Sequence, residues 1–83
     1  METTQQAVTL TFGVNPFDRC PNETGRYHVV DEAGYIVAKT KFGYSAYDHA
    51  GNLSDRTPDV TFTAIDTRDG SVYGAYRNNE SVA

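Results

Sequence analysis

The chain has almost no cysteine. Cys20 stands alone, so no internal disulfide can close. A secreted domain of 83 residues usually carries such staples. The opening METTQQAVTL has neither the basic stretch nor the apolar run of a secretion signal. We therefore expect a cytoplasmic protein, and we read the Asn-x-Ser/Thr triplets at Asn22, Asn52 and Asn79 as chance in a chain rich in Thr and Asn. No apolar run approaches the ~20 residues that span a bilayer, so no membrane partner is expected. Basic residues are few as well: 7 Lys+Arg stand against 11 Asp+Glu, for a net charge of −4. They are scattered, and Lys39 and Lys41 form the one obvious pair. That balance works against binding nucleic acid through its phosphates. It suits a soluble protein, or one with a basic protein partner.

What is present reads as a single small domain over residues 1–83, with polar, frayed ends at 1–6 and 78–83. Val8, Leu10, Phe12 and Val14 alternate with Thr9, Thr11 and Gly13, the pattern of a strand with one buried face. NPFDRCPNETG is a loop. RYHVV and YIVAKTKF, joined through DEAG, form a hairpin whose glycine takes the tight-turn position. In its second strand Ile36, Ala38, Thr40 and Phe42 share the core face. Tyr35, Val37, Lys39 and Lys41 share the solvated one. DVTFTAIDTRDGSVYGAYR is a second hairpin with an Asp-Gly turn signal. Val60, Phe62 and Ala64 line one of its faces, and Val72, Gly74 and Tyr76 stand opposite Tyr73, Ala75 and Arg77.

The middle stretch YSAYDHAGNLSD decides the class. As a calcium loop it fails, because the twelve residues from Asp48 put glycine at the wrong position. Cys20, His28 and His49 lack the paired spacing of a zinc site. As a helix it is coherent: Ala46, Tyr47, Ala50 and Leu53 fall on one face, Ser45 can cap the start with Asp48 completing a capping-box pair, and Pro58 disfavours helix at Thr57. We expect an α+β fold, an antiparallel sheet of about five strands with one short helix over residues 45–54. An all-β small sandwich or barrel is the alternative if that segment is a loop.

Two resemblances follow from these motifs. Asp48, Ala50, Gly51, Asn52 and Ser54, before the strand VTFTAIDT, resemble the end of bacterial immunoglobulin-like repeats, which implies the all-β alternative. Asp31, Gly34, Val37 and Thr40, then Ile65, Asp66, Gly70 and Val72, resemble small phage and mobile-element domains built as hairpin, helix, hairpin. That resemblance implies no catalytic residues.

For chemistry, Cys20 beside Arg19 with His28 as base is the one candidate dyad, and His28 sits in a strand. Asp31, Glu32, Asp66 and Asp69 fall where turns use carboxylates. We expect no enzyme, no cofactor and no metal. The less ordinary feature is six tyrosines in so short a chain. Tyr35 and Tyr73 point away from the expected core face, and tyrosine is enriched where partners bind. The expected partner-binding residues are Tyr35, Tyr73, Lys39, Lys41, Asp66 and Asp69. The expected partner is another protein, with a basic surface facing the acidic residues Asp31, Glu32, Asp48, Asp55, Asp59, Asp66 and Asp69. One form would be a phage or mobile-element accessory protein that inhibits a host defence or nucleic-acid-handling protein. The alternatives are a homo-oligomeric structural module, and a single-stranded nucleic-acid binder using a Tyr/Lys face.

Overall fold

Both turn signals act as their sequences require. The computed structural model of the chain describes residues 17–82, so the strand expected over Val8–Val14 lies outside the described residues. The first hairpin joins β1 (Tyr27–Val30) to β2 (Ile36–Thr40). One Asp31 carboxylate oxygen accepts from the backbone N–H groups of Ala33 and Tyr35, each at 3.0 Å. Gly34 takes φ 91°, which a β-carbon would penalise. The second hairpin joins β3 (Thr61–Asp66) to β4 (Ser71–Arg77) through Gly70 at φ 78°. A two-residue β5 (Glu80–Ser81) returns along β4 through Asn78 and Asn79, both at positive φ.

β1 pairs antiparallel with β3, so the two hairpins merge into one five-stranded sheet of order β2-β1-β3-β4-β5. A single helix, α1 (Gly43–Arg56), packs across one face of it. The class is α+β, and the helical middle stretch removes the all-β alternative. The fifth described strand comes from the segment read as a polar, frayed tail.

The core is made of small residues. Val29, Ala46, Ala50 and Ala64 are fully buried and Phe62 is nearly so. Ala46 and Ala50 sit one turn apart, and Gly51 and Ser54 continue the same buried stripe. Side chains this small let the helix backbone lie close to the sheet. Tyr27, Val37, Ala38, Leu53, Val60 and Tyr76 pack around the rim.

Several expectations about faces are corrected. Val29 pairs with Ala38 but Val30 pairs with Ile36, which leaves Val37 as an extra residue. This β-bulge breaks the alternation. Val37 and Ala38 therefore both pack on the helix side, and Ile36 moves with Val30 to the other face. A second bulge lies in β4, where Ala64 pairs with Gly74 and Ile65 with Val72, leaving Tyr73 extra. Tyr73 and Gly74 both meet α1, and Val72, expected in the core, is 58% exposed. Phe42, also expected inside, is 55% exposed. It is the helix N-cap, so the helix begins two residues before Ser45, and neither Ser45 nor Asp48 caps it.

Candidate functional site

The two bulges build the two surfaces that the core leaves over. The first is an aromatic corner where β1 and β4 begin and α1 starts. Tyr73, turned to the helix side by its bulge, lays its ring against Gly43 and packs edge-on against Tyr27, with centroids 5.4 Å apart. Phe42 and Tyr44, on either side of Gly43 in the chain, stack at 5.4 Å with planes 17° apart. Phe42, Tyr44 and Tyr73 are each more than half exposed. Phe42 and Tyr44 are left in water as a stacked pair, and half-exposed Tyr73 lies against the glycine between them in the chain. The core does not explain this exposure, and exposed apolar surface of this kind marks interaction sites.

Beside Tyr27 lies an electrostatic clamp. Arg26 donates Nε–H to one Asp66 oxygen at 2.9 Å and Nη2–H to the other at 2.6 Å, a bidentate pair. The guanidinium holds the Asp66 carboxyl down at about 2, and the carboxylate raises Arg26 in turn. Arg26 also lies over the Tyr27 ring at 5.1 Å. The loop before β1 is tied to the β3–β4 turn by Thr67, whose N–H and hydroxyl both donate to the Arg26 carbonyl.

The second surface is a groove of about 380 Å³ between α1 and β2. Val37, Ala38 and Leu53 form its apolar floor, and Glu23, His49, Asn52 and Arg56 stand around it with the Lys39 stem.

The expected partner-binding residues are dispersed. Tyr73 belongs to the aromatic corner. Tyr35 stands at the start of β2, packed on Phe17 at 5.3 Å with the Arg19 guanidinium 4.0 Å above its ring. Lys39 does not present a free charge beside Tyr35: its Nζ donates to Asp18 at 2.6 Å, and both side chains are about nine-tenths buried. That partner lowers Asp18 below the usual carboxylate range. Lys41 is exposed just before Phe42. Asp66 serves the clamp, and Asp69 accepts from the Ser71 N–H, which lowers its carboxyl. Phe42, Tyr44 and Tyr27 are not among the expected partner-binding residues: the strand pattern runs on through Phe42, whereas the helix already begins at Gly43.

The acidic residues expected to face a basic partner are mostly engaged within the fold. Asp31 closes its turn, Glu32 accepts from the Thr61 N–H and from Arg77, and the Asp59 carboxylate accepts from Asn78 Nδ2–H at 3.3 Å. Asp48 and Asp55 remain on the outer side of α1.

The Cys20–His28 dyad is not formed. The thiol lies 3.8 Å from the Ile36 carbonyl, and burial raises it, helped by Glu23 and Asp18. Burial holds the His28 imidazole below its ordinary value, with Lys39 adding to the effect. Among the described residues no three His, Cys, Asp or Glu side chains come together in a way that could hold a metal ion, and no helix is long and apolar enough to cross a membrane. No family model matches the chain, and no curated protein or solved structure matches it either.

Proposed function

We propose that the chain is a non-enzymatic module that binds another protein through the aromatic corner formed by Phe42, Tyr44 and Tyr73. The observation that carries this reading is the seating of Tyr73 on Gly43 and Tyr27 while half of its surface stays in water. A ring held in place by its neighbours loses little conformational freedom when a partner covers it. Aromatic anchors of this kind concentrate the binding energy of protein interfaces. Asp48, one turn beyond Tyr44, and Lys41, beside Phe42, supply the polar rim that such interfaces carry.

The test places a photo-crosslinking amino acid at position 44, and in a second preparation at position 80, on the far side of the sheet. Each is compared with and without Tyr73→Ala. A partner joined from position 44, lost with Tyr73→Ala and not joined from position 80, supports the reading. Equal crosslinking from both positions, or no effect of Tyr73→Ala, overturns it. Crosslinks to single-stranded oligonucleotide with the same dependence would reassign the corner to nucleic acid and likewise end the protein-binding proposal.

A further inference from the structure

The groove between α1 and β2 is independent of the aromatic corner. Its floor exists because the bulge at Val37 turns Val37 and Ala38 to the same side. The opposite wall follows from helical spacing. His49, Asn52, Leu53 and Arg56 stand at i, i+3, i+4 and i+7, one face of α1. Three charge pairs close within the described fold, Asp18–Lys39, Arg26–Asp66 and Glu32–Arg77. None of them uses Glu23 or Arg56, which stand at the rim of this groove. Among the described residues the side chains of Glu23, His49, Asn52 and Arg56 make no hydrogen bond or ion pair, yet they converge on one apolar floor. The groove is open and its lining is more polar than apolar, so what it suits is a small, charged ligand with one short apolar part rather than a mainly apolar one.

The charges at the rim state what would fit. Glu23 is anionic, Arg56 is cationic, and the Lys39 charge is already neutralised by Asp18. A ligand carrying one charge of each sign answers both, with an apolar body to cover Val37, Ala38 and Leu53. We infer that the groove binds a small zwitterion with an apolar side chain, of the chemical class of free aliphatic α-amino acids. The carboxylate meets Arg56, with the His49 and Asn52 side chains beside it for further hydrogen bonds. The ammonium meets Glu23, and the alkyl group rests on Leu53 and Ala38. This site goes beyond the protein-binding reading and does not depend on it.

The experiment is a titration of the full, nitrogen-15-labelled chain with L-leucine, N-acetyl-L-leucine and L-leucinamide, followed through the backbone amide signals. L-leucine should move the signals of Val37, Ala38, His49 and Leu53 with a dissociation constant of about millimolar, as nine heavy atoms on an open groove allow. Each analogue lacks one charge and should bind about three- to tenfold more weakly, the range for an exposed charge contact. Arg56→Gln should abolish the preference for leucine over leucinamide. Glu23→Gln should abolish the preference over N-acetyl-leucine. Both substitutions lie on the surface, and an unchanged thermal melt confirms that the fold persists. No localised shifts at tens of millimolar L-leucine would overturn the inference, as would shifts indifferent to both substitutions.

Discussion

The ring of Tyr73 occupies the space that a side chain on Gly43 would need. A β-carbon built on Gly43 falls 2.5 Å from Tyr73 Cζ and within 2.9 Å of both Cε atoms. The same relation recurs one residue further along β4, where a β-carbon on Gly74 would meet the Tyr47 ring. Two glycines, one on the helix and one on the sheet, thus receive two tyrosine rings from the facing element. The first seats a ring at the surface and the second seats one in the packing between layers.

The two glycines should respond differently to alanine. Tyr73 is packed on Gly43 and Tyr27 on one side and open to water on the other, so a methyl group at position 43 would displace it outward and Gly43→Ala should change stability by less than about 1 kcal/mol, with helix propensity offsetting part of the lost contact. It should nonetheless reduce crosslinking at the aromatic corner. Tyr47 is packed edge-on against Tyr76 at 4.8 Å and has less room. Gly74→Ala should cost about 1–3 kcal/mol, the range for overpacking. Urea denaturation of both variants decides between these outcomes, and equal losses would show that Tyr73 is held as tightly as Tyr47.

Because the core is built on so few large side chains, truncation should be severe. Phe62→Ala should destabilise the chain by about 3–5 kcal/mol, enough to unfold a domain of this size at ordinary temperature. Val72→Ala removes a side chain that is mostly in water and should stay within about 0.5 kcal/mol of wild type. Circular dichroism melts measure both.

Acid should release the clamp beside Tyr27. Asp66 ordinarily titrates near 3.8, and Arg26 holds it at about 2 in the folded chain. A depressed carboxylate contributes its full share of stability above the unfolded value. That share is lost as pH falls from about 4 toward about 2. Wild-type stability should therefore fall across that window more steeply than that of Asp66→Asn, which is weaker at pH 7 and flatter below pH 4. Parallel curves would show that the pair contributes nothing to folding.

Ser54 joins the end of α1 to the β4–β5 turn. Its buried hydroxyl donates to the Gly51 carbonyl and accepts the Asn79 N–H, both at 2.8 Å. Ser54→Ala should cost about 1 kcal/mol. It should also speed hydrogen exchange at Asn79 and Val82 while leaving Val29 protected. Unchanged exchange at Asn79 would mean that water replaces the serine without loss.

The class and the order hairpin, helix, hairpin were readable because they rest on near-neighbour physics. Asp31 and Gly34 close one turn and Gly70 another, whatever surrounds them. The spacing of Ala46, Ala50 and Leu53 requires a helix that packs one way, and the alternation of Phe62 and Ala64 requires a strand with one buried face. Pro58 ends the helix close to where it was expected to.

What each strand shows to solvent was not readable, because it depends on register between strands distant in sequence. One extra residue at Val37 and another at Tyr73 turn the following side chains over, since successive residues on a strand point to opposite faces and a bulge shifts that count by one. The aromatic corner and the groove both arise from those two residues. Lys39 looked free in the sequence and became half of a pair when Asp18 was brought to it from 21 positions away. Local composition thus specified the turns, the helix and the sheet. Assembly alone settled which rings face water and which charges find partners, because both require contacts between segments that neither segment encodes separately.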